Sequence, residues 1–252
     1  MKVTKYLDSL KDSVDPSLPS THATRYIDLD KILNDDALKT QKCDVFGEHL
    51  LYFFYGRPSY RVKKSDSHMQ YYDAPVVFIV NTEKLQGLER IYPFDSGAFH
   101  WGLYKDLIPT DDLSEYQLPP NLEYIGKLVD LIYLCNENYM EGQCSNNVVD
   151  PHHFEAAGLM DLARNSSANA TRDERATSIE IIVNSKQLFK NILECVVLPR
   201  SSLKRTEVQD ALIRWGEPEV IPYRLMPHNT PEQTATRVYE RVLQYYEDNK
   251  LI

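Results

Sequence analysis

The sequence has no G-x-G-x-x-G after a strand-like run, no G-x-x-x-x-G-K-[ST] and no G-x-S-x-G. Their absence excludes a Rossmann phosphate turn, a P-loop and an ordinary hydrolase nucleophile elbow. Cysteine is sparse. Cys43, Cys135, Cys144 and Cys195 stand far apart with no C-x-x-C pair, which makes reduced intracellular thiols the default. Long apolar runs are missing too: Pro75 to Val80 is far too short to cross a bilayer. The first twenty residues contain no apolar core of a secretory signal. Basic charge is in deficit, with 28 Lys and Arg against 37 Asp and Glu for a net −9. That balance argues against a non-specific hold on nucleic acid or an anionic membrane, although a local basic groove stays compatible with it. Glycine, at 9 residues, is outnumbered by 14 prolines and 17 tyrosines.

What remains is ordinary for a globular chain. Hydrophobic residues make up 42% and charged residues 26% of 252, enough for one large domain with a sizeable core. The expectation is a soluble, cytoplasmic protein with no membrane segment and one domain over 1–252. Residues 20–27 read as a strand, and Leu29, Ile32 and Leu33 then fall at helical spacing behind Asp28 as N-cap. Residues 50–55 form an aromatic strand that breaks at Gly56 and Pro58. Pro75 to Val80 reads as a buried strand, and 93–99 as a tight turn. Helical patterns near 121–134 and 152–164 lie within a loop-rich stretch of about 105–175, expected to be an insertion or a lid. Strands are expected at 178–183, at 195–199 and, on an edge because of Pro222, at 219–226. A helix spans 205–215, stopped by Gly216. Thr230-Pro231-Glu232-Gln233 is a capping box that opens a last helix. Strands near both ends with little regular βαβ alternation point to an α+β fold with a mixed, mainly antiparallel split sheet.

Three polar residues occupy strand or strand-end positions where apolar residues would bury more easily: His22, Tyr60 and Glu180. A carboxylate between Ile179 and Ile181 costs several kcal/mol in a dry core, or takes a raised pKa, unless it points to solvent from a half-exposed strand. Taken singly, His22 reads as a hydrogen-bonded structural histidine and Tyr60 as a packed tyrosine.

Together, His22-Ala23-Thr24 before a helix, the Leu51–Tyr60 strand and turn, and Ser178-Ile179-Glu180 opening a late strand resemble the ADP-ribosyltransferase fold. The likeness is to its His–Tyr–Glu class, which includes the diphtheria-toxin-like and poly(ADP-ribose) polymerase enzymes. Bacterial DNA-modifying ADP-ribosyltransferase toxins share that fold. The resemblance spans residues 20–100 and 176–226, and no glycine directly precedes the Leu-Tyr-Phe segment as it does in the family. It implies that NAD is the substrate and that His22 and Thr24 bind its ribose and nicotinamide amide. It makes Tyr60 the tyrosine that stacks on nicotinamide, with Tyr55 as the rival, and Glu180 the catalytic carboxylate. Arg57 and Arg61 suit the pyrophosphate, because guanidinium forks match phosphate, or else belong to a solvated loop. The expected activity is ADP-ribosyl transfer to a protein or nucleic acid, or NAD hydrolysis, as in a toxin or defence effector.

Two other readings stay open. Cys135, Cys144, His152 and His153 offer metal-ligand chemistry, but at an irregular C-x8-C-x7-H-H spacing. The tyrosine-rich, acidic surface also suits a non-catalytic protein-interaction module.

Overall fold

The computed structural model describes residues 2–11, 13–60, 68–165 and 174–252. In chain order the elements are α1 (Val3–Ser9), β1 (Ser20–Arg25), α2 (Leu29–Asp35), β2 (Ala37–Leu38), β3 (Gln41–Lys42), β4 (His49–Tyr55), β5 (Pro75–Val80) and β6 (Leu88–Tyr92). They continue with α3 (Ser96–His100), α4 (Glu123–Tyr133), α5 (Asn136–Glu141), α6 (Phe154–Asn165), β7 (Glu180–Val183), β8 (Gln187–Leu188) and α7 (Phe189–Ile192). The last are β9 (Leu193–Pro199), α8 (Thr206–Arg214), β10 (Glu219–Tyr223) and α9 (Pro231–Asp248).

The main sheet runs β10-β9-β5-β1-β4-β7-β6, with β3 on the flank of β4; β2 and β8 pair separately. All pairings are antiparallel except β10 with β9. This is an α+β fold with a mixed, mainly antiparallel sheet, as expected. β5 reads Pro-Val-Val-Phe-Ile-Val and is buried on both faces, because it lies inside the sheet with elements above and below. Phe78 at its middle stacks on Phe189 and meets Trp215 edge-on. Helix α9 packs across β5, β9 and β10. Its start is the capping box: Thr230 Oγ1 accepts from the Gln233 amide, and Gln233 Oε1 accepts from the Thr230 amide. β10 is an outermost strand, which leaves Pro222 free of any need for a ladder donor.

Helices α4 and α5 of the 105–175 stretch belong to the core and do not behave as a lid. Ile125, Leu128 and Val129 of α4 and Tyr139 of α5 are buried in the same core as the sheet. Tyr139 Oη donates to Tyr55 O at 2.9 Å and accepts from the Ile179 amide at 3.1 Å. These helices therefore brace the ends of β4 and β7. The bracing needs Gly56: its φ of +62° suits glycine, and a Cβ there would meet Leu18 Cδ1 at 2.9 Å and Met140 Sδ at 3.0 Å. No helix of the described residues is long and apolar enough to cross a membrane.

Candidate active site

β1 and β4 are partners only briefly. Their pairs are Ser20–Tyr55 and Thr21–Phe54. Beyond Thr21, β1 follows β5 through Arg25–Pro75, while β4 follows β7 from Phe54–Glu180 to Leu51–Val183. The sheet splits at that point. A cavity of about 650 Å³ occupies the opening, with His22, Thr24, Lys31, Lys42 and Tyr52 on its walls. A second, of about 280 Å³, adjoins it and is lined by Tyr52, Phe54, Ser59, Ser96, Arg175 and Glu180. Ala23, Cys43 and Tyr52 line both, so the two form one cleft.

Glu180 is the chemical centre of this cleft. Pairing with Phe54 and Tyr92 fixes it as the first residue of β7, and only 2% of it is exposed. Burial raises its pKa well above the usual carboxylate range, and the nearby negative charge of Asp95 adds to the effect. The Ser96 amide donates to Glu180 Oε2 at 3.3 Å and pulls the other way. Ser96 Oγ lies beside the same carboxylate, buried, without a hydrogen bond of normal geometry. Asp95 anchors this corner by accepting from the Ala98 amide at 2.8 Å and pairing with Arg175 at 2.6 Å. No Lys, Arg or His of the described residues forms an ion pair with Glu180. It is a carboxylate held ready on a cavity wall.

No family model matches this chain, and no curated protein matches it.

His22 stands across the split from β4. Its Nδ1 donates to Tyr52 O at 2.8 Å, and its ring leans on Phe53 with centroids 5.7 Å apart. Because a carbonyl only accepts, Nδ1 keeps its proton and a neutral ring presents Nε2 as an acceptor. Burial lowers the His22 pKa, and the Tyr52 carbonyl only partly offsets it. Thr24, two residues on, shares the His22 face of β1. So His22, Thr24 and Glu180 do meet at one cleft.

The other expected site residues do not. Tyr55 is fully buried: its hydroxyl accepts from the Leu18 amide at 3.1 Å and donates to Asn136 Oδ1 at 3.0 Å. Strand alternation turns it away from the cleft, so its expected ligand role gives way to a structural one. Tyr60 lines neither cavity; it donates to Asp73 O at 2.6 Å, and burial pushes its pKa up to about 12. Arg57 is 4% exposed and faces inward. Its Nε and Nη2 donate to Tyr139 O, and its Nη1 donates to the Thr177 carbonyl and hydroxyl oxygens. Its guanidinium also lies 4.3 Å from the centre of the Tyr139 ring. Arg57 is a clamp between three segments, which corrects the pyrophosphate assignment. Arg61 lies outside the described residues.

The metal alternative finds no support either. Cys135 Sγ caps α5 by accepting from the Asn138 amide, and the His153 ring rests against Tyr6. No group of three or more His, Cys, Asp and Glu among the described residues is arranged to hold an ion.

Tyr52, Ser96, Lys31 and Lys42 were not singled out from the sequence, yet they line the cleft. Tyr52 is half-buried and donates to Cys43 Sγ at 2.8 Å; burial, first of all, raises its pKa. One signal for it was present. Tyr52 and Phe54 alternate with the buried Phe53 and Tyr55, so they share the other face of the strand.

Proposed function

We propose that this chain is an NAD-dependent ADP-ribosyltransferase or NAD glycohydrolase acting in the split between β1 and β4. The observation that carries the reading is Glu180, a buried carboxylate on a cavity wall with no cation of the described residues paired to it. Such a group is expensive to keep for packing alone. It suits a ligand that brings its own positive charge and hydroxyl donors. NAD has both, in its nicotinamide ring and its ribose.

In this reading nicotinamide enters the smaller cavity, where Tyr52 supplies the aromatic face in place of Tyr60 or Tyr55. Glu180 accepts from the ribose 2′-hydroxyl. The bond from ribose C1′ to the nicotinamide nitrogen breaks, and its electron pair leaves with neutral nicotinamide. Positive charge then develops on the ribose ring, beside a carboxylate that is already in place. An acceptor nucleophile, or water, bonds to C1′ and gives up its proton to solvent. His22 Nε2 and Thr24 hold ribose hydroxyls, and Lys31 and Lys42 neutralise the pyrophosphate from the larger cavity. The 650 Å³ volume falls in the range of small-molecule sites, and the 280 Å³ volume lies just below its lower edge.

The test is nicotinamide release from NAD by the purified protein, beside Glu180→Gln, which keeps the shape and removes the charge. Loss of about 10²–10³-fold in the variant is expected, the scale of one missing electrostatic stabiliser. No release by wild type in water or with protein and nucleic-acid acceptors defeats the reading.

A further inference from the structure

The second concavity of note lies away from the cleft, between the outermost strand β10 and helix α9. It measures about 720 Å³, and its walls carry Arg200, Arg224, Arg237 and Arg241 with Met226 and Glu240. The four arginines come from three places: the turn after β9, the segment after β10, and one face of α9, where Arg237 and Arg241 are a helical turn apart. Among the described residues, none of the four forms an ion pair with a carboxylate, and Glu240 is the one acid on the wall. Arg237 Nη1 donates to Arg224 O at 3.2 Å, which joins the helix to the strand end.

This is an unusual concentration of charge. The chain as a whole carries −9, and like charges at i,i+4 on a helix repel. Four unpaired guanidiniums around one hollow are stabilised by a ligand with several anionic groups spaced along it. The guanidinium fork fits phosphate oxygens in two-point contacts. No aromatic residue among the described residues lines the hollow, so it offers backbone contact without base stacking. A duplex presents two phosphates for each one of a single strand, and an acidic protein repels it more strongly. The groove also sits well for a strand that reaches the cleft. β9 runs antiparallel to β5, and β5 antiparallel to β1, so Arg200 and Arg224 lie at the sheet end where Thr24 and Arg25 open into the cleft. Three strand spacings separate β10 from β1, about 14 Å.

We propose that this arginine groove binds the phosphodiester backbone of single-stranded nucleic acid, without regard to base sequence. The binding does not depend on the NAD reading, and its test contains no NAD. Fluorescein-labelled 15-nucleotide oligothymidylate and oligouridylate are titrated with the full chain at low salt, and anisotropy is read against salt concentration. Binding of either oligonucleotide is expected, with a log–log salt slope of about −2 to −3 for three or four phosphate contacts. Arg224→Glu with Arg241→Glu should weaken it at least tenfold, roughly, and flatten that slope. Lys105→Glu with Lys190→Glu changes the net charge equally at sites remote from the groove and should weaken binding far less. Arg241→Gln, which removes one charge without reversing it, serves in place of the double reversal if that variant melts early. The proposal is overturned if neither oligonucleotide binds, if both pairs of reversals weaken binding alike, or if polyglutamate competes as well as the oligonucleotides do.

Discussion

His22 Nδ1 donates to the carbonyl oxygen of Tyr52 across 2.8 Å, at the place where β1 has parted from β4. One side chain thus replaces a lost rung of the ladder. It holds the two lips of the cleft at a fixed separation, and it leaves Nε2 available to a ligand.

Burial of the His22 ring makes a pH prediction, because it outweighs the opposing effect of the Tyr52 carbonyl. The folded-state pKa of His22 is lowered, so the unfolded chain takes up a proton more readily than the folded one as pH falls. Stability is therefore fully present above the unfolded value of about 6.5 and is lost as pH drops from there toward the folded pKa. Melting temperatures of wild type and His22→Ala, recorded between pH 7.5 and 5, should converge on acidification. Parallel curves over that range contradict the account.

Tyr52 and Tyr55, three residues apart on β4, should separate binding from stability. Tyr55→Phe removes the hydroxyl and leaves the buried Leu18 amide and Asn136 side chain short of a partner. A loss of about 1–3 kcal/mol is expected in denaturant unfolding, roughly the cost of orphaning a buried polar group. Tyr52→Ala truncates a half-buried ring on the cleft wall. It should raise the KM for NAD several-fold at a smaller cost in stability. The opposite ranking removes Tyr52 from the site.

Much of the fold could be read in the sequence because local chemistry fixes it. Thr230 and Gln233 start α9 by bonding each other's backbone, and Pro222 could sit nowhere but an outer strand. The short helix α3, expected as part of a turn, follows from Asp95 capping the Ala98 amide. The site was only partly readable. His22 and Glu180 stand out because a polar residue at a strand position needs an explanation, and Thr24 enters only through the resemblance. Tyr60 and Tyr55 fall outside the cleft because the split is set by pairing register, where β4 leaves β1 after Thr21 and follows β7 instead. Nothing local to Leu50–Tyr60 encodes that choice of partner. Arg57 misled for a similar reason: its acceptors, Thr177 O and Tyr139 O, lie 120 and 82 residues away.

Arg57 should behave as structure and not as a phosphate ligand. Arg57→Lys keeps the charge but cannot reach Tyr139 and Thr177 together through a planar fork. It should cost about 3 kcal/mol, on the scale of two charged hydrogen bonds. At temperatures where the variant is folded, its KM for NAD should stay within about twofold of wild type, a change worth less than 0.5 kcal/mol. A large rise in KM without a fall in melting temperature returns Arg57 to the site.

Glu180 should show a cost in stability for its place in the cleft. Its folded pKa is raised well above the unfolded one, so the folded chain holds this proton more tightly. Stability from this group is present at low pH, falls once pH exceeds the unfolded value of about 4.3, and stops falling above the folded pKa. Each unit of the difference is worth about 1.4 kcal/mol. Glu180→Gln has no charge to bury, so at pH 7.5 it should melt higher than wild type, and the gap should close on titration toward pH 5. On the proposed reading the same proton governs turnover. Only the ionised carboxylate stabilises the positive ribose, so nicotinamide release by wild type should rise with pH through the raised pKa and then level off. Melting and turnover read one ionisation by independent means, and the pH at which the melting gap stops widening must match the pH at which the rate levels off. A gap that levels off in one range and a rate that levels off in another assign the activity to a group other than Glu180.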